Sequence, residues 1–226
     1  MKLLLLGSGK TGYLVAEIAR RDGHEVDVLR SADNPGGAAL TKERLAKTDV
    51  VIDFTTPAAV VANIQACASA GASMVVGTSG WYDQLPRVRQ MVEKHGGAFV
   101  YGANFSIGIN LFYEIAKTAS AALQHGYFGQ VFERHHATKM DAPSGTALVL
   151  QQVIQEASET KLEITSFREG AVVGMHELVL DSPSDTIYLC HDAKSRDGYA
   201  EGAVRAAKWL MGKKGFFRFD EIWRQL

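Results

Sequence analysis

Three glycines, Gly7, Gly9 and Gly12, stand between a run of four leucines and a helical repeat. No other feature constrains the fold as much, because a GxGxxG turn of this kind joins a buried strand directly to a helix. The first glycine permits the tight turn, the second lets the backbone approach a pyrophosphate, and the third lets helix and strand pack closely. Residues 3–6 are a short apolar run bounded by glycine, which reads as a strand buried on both faces. Over residues 11–20, Leu14, Val15, Ile18 and Ala19 recur at helical spacing, and Asp22-Gly23 ends the helix. Residues 25–29 read as a second strand. The result is a β-α-β unit whose short connections favour parallel strands and a right-handed crossover.

The alternation continues through strands at 50–54, 74–76 and 98–101, with helices at 57–70, opened by Pro57, and at 81–95. This pattern predicts an α/β fold, a Rossmann-like doubly wound parallel sheet. After Asn104 the pattern changes. One long helix is expected over 106–125, a strand at 131–135, and a helix from Ser144 to about Ala157. Strands follow at 165–167, 176–181 and 186–191, the last two joined by the turn Ser182-Pro183-Ser184-Asp185 into an antiparallel hairpin. A helix over 198–211 is placed to return to the first domain. The expected organisation is a dinucleotide-binding domain of 1–104 and 196–226. A smaller α+β domain with an open mixed sheet, 105–195, would bind substrate and form oligomer contacts.

Composition removes several function classes. A net charge of −1 gives no field directed at nucleic acid or membrane. The four-leucine start is too short for a signal h-region of roughly 7–15 residues, and no apolar stretch approaches the ~20 residues that span a bilayer. The chain is therefore expected to enter its first strand directly and to act in the cytoplasm. Cys67 and Cys190 lie far apart without CxxC spacing, which excludes a disulfide framework or zinc ribbon and marks them as small buried fillers.

A pyrophosphate bound at Gly7, Ser8, Gly9, Lys10, Thr11 and Gly12 would lie at a helix N-terminus, where backbone N–H groups and the dipole favour anions. The bland alternative is a Rossmann-like turn without a ligand. Gly9-Lys10-Thr11 also resembles the end of a P-loop. That motif would need a glycine at position 4, which is Leu4, and its only later acid would be Asp53. At the end of the second strand, where an acid binds the ribose of NAD, stand Arg30 and Ser31. They suit a 2′-phosphate, so NADPH is expected to be preferred or used equally with NADH. Asp33, slightly further on, keeps NADH open.

The second informative stretch is Glu133-Arg134-His135-His136-Ala137-Thr138-Lys139-Met140-Asp141-Ala142-Pro143-Ser144-Gly145-Thr146-Ala147. His135 and His136 are adjacent at a strand end and point to opposite faces, so they do not chelate one metal together. With no HExxH and no cysteine pair, no metal site is expected. An imidazole can deliver a proton near neutral pH, and Lys139 can bind a carboxylate or assist as an acid. Ser144 can cap the next helix. The N–H groups of Gly145 and Thr146, with the Thr146 hydroxyl, can grip a carboxylate. These residues alone point to a nicotinamide-dependent enzyme with a small anionic substrate. A non-catalytic dinucleotide sensor would not need them together.

That stretch closely resembles the signature of the dihydrodipicolinate reductase family. Gly77-Thr78-Ser79-Gly80 resembles the family's GTTG loop, with Ser79 in place of a threonine. Gly102-Ala103-Asn104-Phe105-Ser106-x-Gly108 resembles its AANFSxG segment between domains. The segment running from Arg168 through Gly170, Gly174 and His176 resembles its RxGxxVGxH region, and Ser195-Arg196 with the following helix resembles its C-terminal return. The resemblance implies reduction of 4-hydroxy-tetrahydrodipicolinate by NADPH or NADH in diaminopimelate and lysine biosynthesis. The hydride would go to the unsaturated ring of a cyclic imine dicarboxylate, and His135, assisted by Lys139, would protonate the resulting enamine. His136, Lys139, Ser144, Gly145 and Thr146 would hold the substrate carboxylate. The cofactor would also meet Gly77, Thr78, Ser79, Gly102, Ala103, Asn104, Phe105 and Arg196. It further implies a homotetramer joined through the second domains and hinge closure when both ligands bind. The chain departs from the family in Thr11, where methionine is common, and in lacking an acid directly after its second strand.

Overall fold

Leu3, Leu4, Leu5 and Leu6 are all buried, as a strand covered on both faces requires. They form β1 (Lys2–Leu6), followed by α1 (Lys10–Arg21) and β2 (Glu25–Leu29). The computed structural model describes residues 1–226 and divides into two units, Met1–Ile107 with Asp197–Leu226, and Gly108–Arg196.

In the larger unit α2 (Lys42–Leu45), β3 (Val50–Asp53), α3 (Pro57–Ser69), β4 (Met74–Val76), α4 (Leu85–His95) and β5 (Ala98–Tyr101) continue the alternation. Six parallel strands, the last of them β10 (Gly215–Arg218), form the sheet in the order β10-β5-β4-β3-β1-β2. Side chains of β1 alternate between two cores. Leu3 and Leu5 pack with Val15, Ile18 and Ala19 of α1 and with Ala203, Ala207 and Leu210 from the C-terminal helix α7 (Asp197–Leu210). Leu4 and Leu6 pack with Val60, Ile64, Val88 and Val92 of α3 and α4 on the other face.

The smaller unit runs α5 (Ile107–Ala119), β6 (Phe128–His135), α6 (Gly145–Ser158), β7 (Ile164–Arg168), β8 (Gly174–Asp181) and β9 (Thr186–Ala193). Its sheet has the order β7-β6-β8-β9, with β6 parallel to β7 and antiparallel to β8, and with the β8–β9 hairpin antiparallel. Ile109, Phe112 and Ala116 of α5 and Leu150 and Ile154 of α6 cover the face carrying Val131, Leu178 and Leu180. The opposite face carries Phe132 and Phe167, stacked at 6.5 Å, and Tyr188, which is 72% exposed.

Four features differ from the sequence reading. The expected helix over 106–125 stops at Ala119 and continues as a 3-10 turn, Ser120–His125. Ser120 is buried and its hydroxyl donates to the Lys117 carbonyl, which competes with regular helix bonding. The helix expected from Trp81 begins only at Leu85, after a 3-10 turn, with Pro86 in its first turn. Gly215–Arg218 forms β10, the edge strand beside β5, and Phe219–Ile222 a short α8; neither is apparent from the sequence pattern. Cys67 is buried as expected, but Cys190 is exposed. Strand alternation places Cys190, like Tyr188, on the uncovered face of β9.

Two glycines of α7 separate backbone approach from helix propensity. A Cβ on Gly202 would lie 1.7 Å from the Phe105 carbonyl oxygen, whereas one on Gly198 would meet nothing closer than Ser106 Oγ at 3.6 Å. Gly202→Ala should therefore cost about 3 kcal/mol or more. Gly198→Ala should be neutral or stabilising by up to ~1 kcal/mol. Urea unfolding of the two variants checks this, and similar midpoints would contradict the packing.

Candidate active site

The glycine turn is built as its spacing implies. Gly7 has φ +94, and a Cβ there would lie 2.3 Å from the Phe54 carbonyl oxygen. A Cβ on Gly12 would lie 2.4 Å from the Gly7 carbonyl oxygen, so close packing of α1 on β1 requires glycine. At Gly9 a Cβ would meet nothing within 4 Å, so the protein itself does not require glycine there. Gly9 caps α1 without any side-chain hydrogen bond, leaving the first-turn N–H groups to face a cleft of about 460 Å³. Gly9, Lys10, Thr11 and Gly12 line this cleft together with Phe54, Thr55, Pro57, Gly77, Thr78 and Ser79. An uncapped helix start in a concave site fits a dinucleotide pyrophosphate.

Asp53 organises the far wall. Its carboxylate is fully buried at the end of β3. Oδ1 accepts from the Thr55 N–H (2.9 Å), the Thr55 hydroxyl (2.7 Å) and the Thr78 hydroxyl (2.7 Å). Oδ2 accepts from Asn63 Nδ2 at 2.8 Å, and Asn63 Oδ1 accepts in turn from Asn34 Nδ2 at 2.9 Å. Burial pushes the Asp53 carboxyl above its ordinary range, against the hydrogen bonds from Thr55, Asn63 and Thr78 that favour the charged form. Trp81 Nε1 donates to the Thr78 carbonyl at 2.7 Å and pins the same loop from the other side.

The other expected cofactor residues are placed differently. Arg30 and Ser31 follow β2, where Arg30 Nε donates to Asp33 Oδ2 at 2.8 Å in an exposed pair. The two groups weighed for a 2′-phosphate and a ribose thus hold each other. Gly102 donates its N–H to the Val76 carbonyl, and Asn104 accepts from the Ser106 N–H. Phe105 is buried, with its ring 4.5 Å from that of Phe219. Any ligand contact from this segment therefore falls to residues 102–104 or to backbone atoms. Arg196 is the last residue of the smaller unit, its guanidinium 3.5 Å from His136 Nε2.

In the smaller unit β6 carries Val131, Glu133 and His135 on its covered face. Glu133 is fully buried; one carboxylate oxygen contacts His135 Nδ1 and the other takes the Arg168 guanidinium at 2.7 Å. Arg168 also donates to the Asp141 carbonyl at 2.6 Å. Burial alone would raise the Glu133 carboxyl. Hydrogen bonds from Arg168, Ser166 and His135 prevail and hold it below its usual range. Burial lowers the His135 imidazole, with Glu133 opposing.

His176 of β8 faces the same cluster, its ring 5.2 Å from that of His135 and its Nε2 3.1 Å from Ser144 Oγ. Burial pushes His176 down to about 3. Ser144 caps α6, accepting from the Ala147 N–H at 3.2 Å. Lys139 Nζ holds both carboxylate oxygens of Asp141, at 2.7 and 2.9 Å, and His136 Nδ1 lies 2.8 Å from Thr138 Oγ1. The ligand-capable atoms of Glu133, His135 and His176 lie within 4.8 Å of one another, a grouping the sequence reading did not anticipate. Arg168 already neutralises Glu133 there, so the cluster is accounted for as a hydrogen-bonded acid–base group.

A Rossmann-type unit with an open helix start, joined to a unit with a buried acid–base cluster beside a second helix start, defines a nicotinamide-dependent oxidoreductase. Residues 1–105 match the model for dihydrodipicolinate reductase, N-terminus, and residues 108–223 that for its C-terminus. The chain is 35% identical to 4-hydroxy-tetrahydrodipicolinate reductase of Christiangramia forsetii, over 98% of this chain and 97% of that protein. It is 36% identical to the enzyme of the same name from Thiobacillus denitrificans, over 73% of this chain and 68% of that protein. Its fold matches dipicolinate-bound dihydrodipicolinate reductase from Paenisporosarcina sp. TG-14 with a TM-score of 0.77, at 23% identity, over 98% of this chain and 99% of that one. The chain belongs to the dihydrodipicolinate reductase family, oxidoreductases that use NADPH or NADH. No helix is long and apolar enough to cross a membrane.

The buried histidine makes stability depend on pH. An unfolded His176 takes up its proton near 6.5, the native one near 3. Between these values the unfolded state binds more protons, so stability falls as pH falls. Each unit costs up to about 1.4 kcal/mol for that one group. His176→Gln should flatten the decline of the urea midpoint between about pH 6.5 and 5 by roughly one proton equivalent. An unchanged slope would show that His176 protonates freely in the native protein.

Proposed function

We propose that His135, His136, Lys139 and the start of α6 form the substrate site at which the protein reduces 4-hydroxy-tetrahydrodipicolinate to tetrahydrodipicolinate. The observation that carries this reading is the placement of His135, Lys139 and the Ser144–Thr146 helix start on one short path of chain in one unit. A solved relative was obtained with dipicolinate bound, which supports a small dicarboxylate as substrate here.

The reduced nicotinamide, when bound, supplies the hydride. Gly9, Lys10, Thr11 and Gly12 would hold its pyrophosphate, with Thr78 and Ser79 lining the same cleft. Once the 4-hydroxyl has left the ring as water, hydride adds to the unsaturated ring that remains, and His135 gives its proton to the resulting enamine. Lys139 exchanges Asp141 for a substrate carboxylate, and His136, Ser144, Gly145 and Thr146 complete that grip. An exposed ion pair such as Lys139–Asp141 contributes little stability, so its exchange for a bound carboxylate is inexpensive. At the ribose, Arg30 serves a 2′-phosphate and Asp33 a free ribose, which favours NADPH without excluding NADH.

The uncovered sheet face bearing Phe132, Phe167 and Tyr188 supports a homotetramer assembled through the smaller units. Two unpaired cysteines suit the reducing cytoplasm.

His135→Gln should lower turnover by roughly 10²–10⁴-fold with cofactor affinity near wild type. Turnover within about threefold of wild type would remove His135 from the acid role. Lys139→Met and Thr146→Val should each weaken pyridine-2,6-dicarboxylate about 10- to 100-fold in calorimetry on cofactor-loaded protein. Unchanged affinity in both would place the anion site elsewhere. Arg30→Ala should weaken NADPH more than NADH. Equal losses would remove Arg30 from the 2′-phosphate.

A further inference from the structure

Glu133 is the least solvated acid of the smaller unit, yet nothing in the proposed chemistry uses it directly. Its side chain is 0% exposed and each oxygen has its own partner, His135 Nδ1 on one side and Arg168 on the other. The sheet register builds this cluster. β6 and β7 pair Glu133 with Ser166 and His135 with Arg168, and β6 and β8 pair Glu133 with His176.

We propose that Glu133 is a positioning residue that presents His135 to the substrate through Nε2, with Arg168 setting how strongly the carboxylate acts on the imidazole. This rests on the reading of His135 as the proton donor. An ionised carboxylate only accepts, so the nitrogen facing it, Nδ1, carries a proton in both charge states of the ring. Nε2 is left as the nitrogen that gains and loses the catalytic proton. A Cβ at Gly174 would come within 3.0 Å of Nε2, so glycine at the start of β8 spares that atom from crowding.

The charged and titratable groups facing His135 come from four places. Glu133 lies on its own strand, Arg168 on β7, His176 on β8 and Lys139 on the loop before α6. Burial, Lys139 and Arg168 favour the neutral imidazole, and only Glu133 favours the charged acid. His176, held neutral by burial and itself facing His191, does not add a further full charge. Arg168 has a double role, because the same guanidinium holds the Asp141 carbonyl in the loop that carries Lys139.

The test separates charge from shape. A donor must be protonated, so turnover is present below the His135 pKa and lost as pH rises through it. Glu133→Gln keeps the size of the side chain and an oxygen that can accept from Nδ1, but removes the charge. The falling limb of the turnover–pH profile should move to lower pH by about one unit or more. The ¹⁵N titration of the His135 ring should move with it, while pyridine-2,6-dicarboxylate affinity stays within about threefold. Arg168→Met removes the opposing cation and should move both readouts to higher pH, a result that does not depend on Glu133→Gln folding.

A lowered melting temperature with an unmoved limb and an unmoved His135 titration would reduce Glu133 to a structural ion pair and overturn the proposal. So would a shift in Arg168→Met toward lower pH. If instead His135→Gln keeps the limb and near-normal turnover, the donor assignment fails. The ring titration in Glu133→Gln still decides the positioning claim by itself.

Discussion

A carboxylate taken out of water must have its charge answered by hydrogen bonds or cations, and each unit of this protein is organised around one such buried acid. Asp53 and Glu133 are each fully buried. Asp53 is answered by neutral donors, the hydroxyls of Thr55 and Thr78, a backbone N–H and an Asn63 amide. Glu133 is answered by Arg168 and His135. In each case satisfying the acid fixes the groups around it. Thr55 and Thr78 become one wall of the cleft at the start of α1, and His135 is held at the end of β6.

The exposed ion pairs are of a different kind. Arg30–Asp33 and Lys139–Asp141 join groups close in sequence, on loops, with at least one partner open to solvent. Pairs of this kind are weak and easily exchanged. The protein thus divides these charges into those locked by burial, which set geometry, and those held loosely at the surface. The helix starts follow the same division. Gly9 leaves the end of α1 uncapped, whereas α6 is capped by Ser144 in contact with the buried His176.

Much of this was legible from the chain alone because it is local. The GxGxxG turn, the alternating strands and helices and the His135–Thr146 stretch each declare themselves within a window of some fifteen residues. Non-local features did not. In the sequence Asp53 stands out only as the acid a P-loop would need, because its partners Asn63 and Thr78 are 10 and 25 residues away. Arg168 lies 35 residues from Glu133 and reaches it through a strand register that one sequence does not disclose. His176 was visible within a recognised segment, but its neighbours were not. Strand β10 follows a basic glycine turn and is too short to show a period, and Cys190 is exposed because one face of β9 is uncovered. Sequence pattern reports which face a strand buries and gives no indication of what lies opposite.

The cleft at the start of α1 and the His135–Thr146 stretch are proposed to serve a single reduction. Its most direct test is the oxidation of NADPH and of NADH by the purified protein, followed by absorbance, when 4-hydroxy-tetrahydrodipicolinate is generated freshly in the same cuvette. The expected result is substrate-dependent loss of reduced cofactor, at least as fast with NADPH as with NADH. Absence of oxidation above the substrate-free rate with both cofactors would contradict it.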